Sequence, residues 1–206
     1  MNSVNKEFRK MMFKKVLPLL GLFLIAPLAG RDVFLEFKGA YFHPTGSCFK
    51  ELFSSGAALF GPELTVQLCE NRDWYLFASF DYLKKNGHSI GLCSQTRVQL
   101  YPIAFGAKYF VSMCDCFDLY GGLGFQAVKV RTQDCAVGAL PTISKWGYGG
   151  IAKFGGYYYL PHNFFLDVFV DYSFVKAGKN RVCNGLQLLK ADVSGVIVGA
   201  AIGYRF

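Results

Sequence analysis

Residues 164–175 alternate with a period of two: Leu166, Val168, Val170, Tyr172 and Phe174 occupy one parity, and Asp167, Phe169, Asp171 and Ser173 the other. Successive side chains of a β-strand point to opposite faces, so such a segment separates two environments. The pattern recurs along the chain and predicts eight strands: Val33–Phe42, Leu59–Leu68, Trp74–Leu83, Thr96–Val111, Leu119–Val130, Trp146–Leu160, Phe164–Val175 and Asp192–Phe206. The first sets Leu35, Phe37, Gly39 and Tyr41 against Glu36, Lys38 and Ala40. The fourth begins with Val98 and Leu100 against Arg97 and Gln99, then blurs after Pro102, which puts Lys108 on the apolar side.

The predicted connections sort by length. Those after the second, fourth and sixth strands are short: Cys69 to Asp73, Ser112 to Asp118, and Pro161 to Asn163. Those after the first, third, fifth and seventh are longer: His43 to Ala58, Lys84 to Gln95, Arg131 to Lys145, and Lys176 to Ala191. Short turns at one end and long loops at the other are the habit of outer-membrane barrels. A membrane-spanning helix needs about 20 consecutive apolar residues, and the longest uncharged run near the start is only Val16 to Gly30.

That run has another use. Lys6, Arg9, Lys10, Lys14 and Lys15 precede it, and Ala26, Ala29 and Gly30 close it, which is the order of a secretory signal peptide cleaved near Ala29 or Gly30. The expected division is residues 1–30 as signal peptide and residues 31–206 as barrel. Removing the five basic residues and Glu7 leaves 17 basic against 13 acidic side chains, so the formal +8 overstates the mature charge and gives no case for nucleic acid.

Which face is wet decides the class. The chain is 52% apolar and only 17% charged, against about 25% charged for an ordinary soluble domain. The less apolar parity holds few charges and much glycine, alanine, serine and phenylalanine, so it reads as enclosed. Glu36, Glu63, Asp167 and Asp171 face Lys38, Arg97 and Lys153 across that interior, a balance suited to ion pairs in a narrow lumen. The expected fold is all-β: an eight-stranded antiparallel transmembrane up-and-down barrel, lipid outside and a packed charge network within. Loop lysines and arginines, among them Lys84, Lys85, Arg131, Lys145 and Lys176, offer contact to anionic headgroups or phosphates.

The C-terminal stretch Gly199-Ala200-Ala201-Ile202-Gly203-Tyr204-Arg205-Phe206 ends in an aromatic residue with tyrosine two positions before it. With eight strands and a signal peptide, the mature chain resembles the small bacterial outer-membrane barrels of the OmpA, OmpX and OmpW type. The resemblance implies location in the cell outer membrane, contact with its lipid, and recognition of Tyr204 and Phe206 by the barrel-assembly machinery. It implies a task in envelope structure or surface interaction carried by four external loops. Two alternatives follow from other members: a narrow channel for small or apolar solutes, lined by Phe34, Phe42, Phe77, Tyr157 and Phe169, and a lipid A-modifying enzyme. For the last, His43, His88 and His162 lack a base-orienting partner or signature, so no catalytic residue, metal site or cofactor is assigned.

Cys48, Cys93, Cys135 and Cys183 fall one in each long connection, while Cys69, Cys114 and Cys116 fall in short ones. In a disulfide-permissive compartment the four loop cysteines have three possible pairings, and the odd turn cysteine is left to join a disulfide-linked envelope partner. Cys114-Asp115-Cys116 has the wrong spacing for a zinc knuckle.

Overall fold

The computed structural model describes residues 31–45, 56–68, 73–88, 95–134, 143–177, 181–183, 186–188 and 191–206. They form a closed barrel of eight staves. Strand β1 (Val33–Pro44) pairs with β2 (Ala57–Gln67); β3 (Trp74–Phe80) and β4 (Tyr82–His88) together make the third stave. Strands β5 (Gln95–Cys114), β6 (Phe117–Asp134), β7 (Ile143–Tyr159) and β8 (Phe164–Ala177) follow, each antiparallel to the one before. A separate hairpin, β9 (Arg181–Cys183) with β10 (Leu186–Leu188), precedes β11 (Ala191–Asp192), which runs into β12 (Gly195–Arg205). Strand β12 pairs with both β8 and β1, Phe34 opposite Arg205, so the sheet has no free edge.

Both ends of the described chain and the strand ends that flank the short connections lie at one end, here the terminal end; the strand ends that flank the long connections lie at the other, the loop end. Phe206 N–H donates to the Val33 carbonyl, tying the last residue to the first strand. The β5–β6 turn is tighter than predicted, only residues 115–116. The β7–β8 turn is a single 3-10 turn, Pro161–Asn163, in which His162 and Asn163 both adopt φ of 63°.

Alternation sorts the faces as predicted on seven staves. Leu35, Phe37, Leu64, Leu76, Leu123, Phe154, Val168 and Ile202 project outward, and their parity partners Glu36, Glu63, Phe77, Gln126, Lys153, Asp167 and Ala201 are buried inside. A Val168 side chain 66% exposed would be a poor choice against water; against lipid it is the expected one. Aromatic pairs flank this belt, Trp74 with Tyr109 and Phe164 with Tyr204 at the terminal end, Tyr82 with Tyr101 at the loop end.

Strand β5 corrects the sequence reading. Val98 and Leu100 are buried inside, together with Pro102, Ala104, Lys108 and Phe110, so the apolar parity of this strand is the inward one. The loop-end interior is itself apolar, which is why polarity misassigned this stretch. The strands also run farther than expected: Lys84, Lys85, Arg131, Lys145 and Lys176 lie on strands, not in loops.

The third stave is interrupted at Asp81 without slipping: Phe80 pairs with Ile103 and Leu83 with Leu100 in one register. Asp81 N–H donates to the Pro102 carbonyl, and Gly61 makes room for the bend. A Cβ at Gly61 would stand 2.0 Å from the Phe80 carbonyl oxygen and 2.7 Å from Asp81 Cα.

Candidate functional site

The enclosed interior is the most organised feature of the molecule, and it divides into three layers along the barrel. The terminal-end layer is aromatic. Phe34 on β1 packs edge-on against Tyr75, Tyr157 and Phe165 at 5.5–5.8 Å between ring centroids. Phe110 joins Tyr75, Tyr120 and Tyr157, and Tyr157 stacks on Phe165 at 4.5 Å. Below this layer opens a cavity of about 670 Å³, lined by residues including Asp32, Tyr75, Cys114, Asp118, His162 and Arg205. Arg205 donates from Nε and Nη2 to the two Asp32 carboxylate oxygens at its rim, 3.0 and 2.7 Å.

The middle layer is ionic. The register of β1 and β2 sets Glu36 directly opposite Glu63, both facing inward, an arrangement that repels unless a cation intervenes. Lys108 from β5 supplies it, with Nζ 2.5 Å from Glu63 Oε1 and 3.8 Å from Glu36 Oε1. Lys38 and Lys153 reach the other Glu63 oxygen at 3.0 and 3.2 Å, so one carboxylate receives three ammonium groups. Lys38 also meets Asp81 at 3.2 Å, and Lys153 meets its cross-strand partner Asp171 at 2.5 Å. Tyr120 donates to Asp167 at 2.9 Å and lies under the Lys108 ammonium at 4.3 Å. Gly155 admits that tyrosine, since a Cβ there would approach its hydroxyl to 2.6 Å.

Glu36, Lys38, Glu63, Lys153, Asp167 and Asp171 thus meet inside the barrel; Arg97 has its backbone in β5 and its side chain lies outside what is described. Lys108 and Asp81 are members that the sequence reading left out. Asp81 was visible in principle, because it continues the inward parity of Tyr75, Phe77 and Ser79; Lys108 required the phase of Ala104 and Phe110.

The loop-end layer is apolar: Phe42, Leu59, Leu83, Leu100, Val128, Val193 and Ile197 converge and leave a void of about 10 Å³, barely room for one water. Beneath it Ser173 donates to Gln126. Phe34, Phe42, Phe77, Tyr157 and Phe169, the residues considered for a solute path, are each buried to 4% exposure or less. They fill the axis.

Other predicted sites disperse. Cys48, Cys69, Cys93 and Cys135 lie outside the described residues; Cys183 has its backbone in β9. Cys114 and Cys116 are free, exposed thiols at the tip of the β5–β6 turn with Sγ atoms 3.1 Å apart. His43 is exposed on the outward face near the loop end of β1, His88 ends β4, and His162 is exposed in the opposite, terminal-end turn. Among the described residues no three His, Cys, Asp or Glu side chains converge as a metal site. Tyr204 and Phe206 pack edge to face at 4.9 Å on the outer surface of the last strand.

No protein-family model matches the sequence, and no curated protein matches it. Solved structures do match the fold. The outer membrane protein OprG of Pseudomonas aeruginosa superposes with a TM-score of 0.55 at 17% identity, covering 85% of this chain and 95% of that one. Outer Membrane Protein W of E. coli gives 0.54 at 17% identity, over 85% and 97%. Ail, the attachment invasion locus protein of Yersinia pestis, solved in complex with the heparin analogue sucrose octasulfate, gives 0.53 at 17% identity, over 85% and 97%. At such identities the likeness establishes the architecture, that of small eight-stranded outer-membrane barrels.

Proposed function

We propose that this chain is an integral protein of the cell outer membrane, plugged by its own side chains, which acts in envelope structure or surface interaction through the four connections at its loop end. The observation that carries this is the interior: a Glu63-centred ionic layer between an aromatic layer and an apolar one that leaves a void of about 10 Å³. A protein closed in this way works at its ends. The outward belt of Leu, Val, Ile and Phe meets lipid, and short turns face the periplasm with both termini, as insertion from that side requires. Barrel-assembly machinery reading Tyr204 and Phe206 fits their exposure on the final strand.

The loop end carries exposed Lys84, Lys129, Arg131 and Lys176 on strand extensions, a basic collar at the height of headgroups. Ail was solved with a polysulfated ligand, which gives the collar a chemical counterpart: phosphate or sulfate groups outside the cell. A channel for small or apolar solutes and a lipid A-modifying activity are less supported, the first by the filled axis and the second by His162, which lies at the end opposite His43 and His88. A disulfide-linked envelope partner stays in the proposal for the odd turn cysteine alone.

The test is paired. Purified protein should migrate faster unheated than heated in a denaturing gel, and should give no discrete conductance steps in a planar bilayer. Steps in the wild-type protein would replace the plugged barrel with a channel, and absence of heat-modifiable migration would remove the membrane barrel itself.

A further inference from the structure

The β5–β6 turn holds two thiols where a structural disulfide has no work to do. The hairpin is already closed by its ladder, Ser112 opposite Asp118 and Cys114 opposite Phe117. Cross-linking stabilises by closing a long loop of the unfolded chain, and Cys114 and Cys116 are separated by Asp115 alone. Neither thiol is buried, and no wall of the barrel covers them. A register shift between Ser112 and Cys114 sets Met113 out of the ladder just before the pair, the kind of local break that re-aims side chains. The result is an Sγ···Sγ separation of 3.1 Å, a hydrogen bond between two unjoined sulfurs.

The two sulfurs are not equivalent. The side-chain contact with Cys116, together with the backbone N–H groups of Cys116 and Phe117, holds the Cys114 thiol below its ordinary value, and the same side-chain contact raises that of Cys116. Cys114 is therefore the readier thiolate and Cys116 its proton-bearing neighbour, a division that suits attack by one and resolution by the other.

We propose that the Cys114-Asp115-Cys116 turn is a dithiol site that exchanges with disulfides of periplasmic proteins, Cys114 attacking and Cys116 resolving. The first step forms a bond between Cys114 Sγ and one sulfur of the partner's disulfide, and the partner's other sulfur leaves as a thiolate. In the second, Cys116 loses its proton to solvent and attacks Cys114 Sγ. The turn disulfide forms, the mixed disulfide breaks, and the partner's second sulfur departs. Two electrons pass from the turn to the partner, whose disulfide is the oxidant. Run backwards, the same steps oxidise a partner dithiol. This proposal rests on the orientation given above, with the turn in the periplasm.

Full-length protein with Cys48, Cys69, Cys93, Cys135 and Cys183 replaced by serine, folded in detergent and reduced, would be mixed with disulfide-scrambled ribonuclease as probe. Recovery of ribonuclease activity should be several-fold faster than with the further variant Cys114→Ser. Adding Cys116→Ser instead should accumulate a one-to-one mixed disulfide that the parent does not. Equal rates for parent and Cys114→Ser overturn the proposal, as does a stable mixed disulfide in the parent, which would make the turn a permanent tether. Heat-modifiable migration of each variant shows that it is folded. Orientation is read separately: a membrane-impermeant maleimide should label the turn only after the outer membrane is opened, and labelling of intact cells would overturn the orientation while leaving the exchange result standing.

Discussion

Glu63 is the residue on which the interior turns. Its carboxylate touches Lys38, Lys108 and Lys153, and its side chain is fully enclosed. Removing it leaves three buried ammonium groups short of a partner, the situation in which breaking a buried pair costs roughly 3–5 kcal/mol. Glu63→Ala should therefore lower stability by that order in equilibrium urea unfolding of the vesicle-inserted protein. Asp32→Ala offers the contrast, because it breaks the Arg205 pair at the cavity rim, where the side chains are 42% and 30% exposed. There the loss should be no more than about 1 kcal/mol. Similar losses for the two variants would show that Glu63 is not the hub. The outward face has its own residue-scale test: Val168→Arg places a charge where lipid is expected and should cost roughly 2–4 kcal/mol in the same assay, since the penalty is largest at the bilayer midplane. An unchanged midpoint would mean that this face is wet.

At the scale of the strand, backbone approach replaces charge as the controlling quantity. A Cβ at Gly61 collides with the Phe80 carbonyl and with Asp81 Cα across the interrupted stave, whereas one at Gly39 meets only the Phe60 ring edge at an ordinary 3.7 Å. Gly61→Ala should thus destabilise by about 1–3 kcal/mol, as overpacking does, and reduce the heat-modifiable fraction; Gly39→Ala should leave both near wild type. The reverse ranking would detach the bend from Gly61. Strands were also where the sequence was most and least legible. Alternation identified the staves and the inward places of Glu36, Lys38, Glu63, Lys153, Asp167 and Asp171, because lipid on one side and ions on the other give opposite demands. On β5 that contrast fails. Inside the loop end, Val98 and Leu100 pack against an apolar layer, so both faces ask for similar residues and parity loses its sign; Lys108 reads as outward for that reason. Strand ends blurred for a related cause: beyond the lipid the outward Lys84, Arg131 and Lys176 and the inward-parity Lys85 and Lys145 are alike polar, so all five read as loop. The hairpin of β9 and β10 was missed because three-residue strands are too short for alternation to register.

Across the whole molecule the three interior layers act in series, and that determines what it takes to open the barrel. A solute or ion must pass the aromatic layer around Phe34 and Tyr157, the ionic layer around Glu63 and the apolar layer around Leu83 and Leu100. Eight staves leave an interior only wide enough for side chains, so each layer blocks on its own. Truncating a single layer, by Leu83→Ala with Leu100→Ala at the loop end or Phe34→Ala with Tyr157→Ala at the terminal end, should lower stability by roughly 2–5 kcal/mol per large side chain yet leave planar bilayers silent. Combining the two pairs still leaves the ionic layer, whose bridges span β1, β2, the third stave, β5, β7 and β8 and hold opposite walls together. Conductance is expected only when Glu63→Ala is added to both. Steps appearing with either pair alone would show that the layers are not independent barriers, and would locate the true constriction in the layer that was cut.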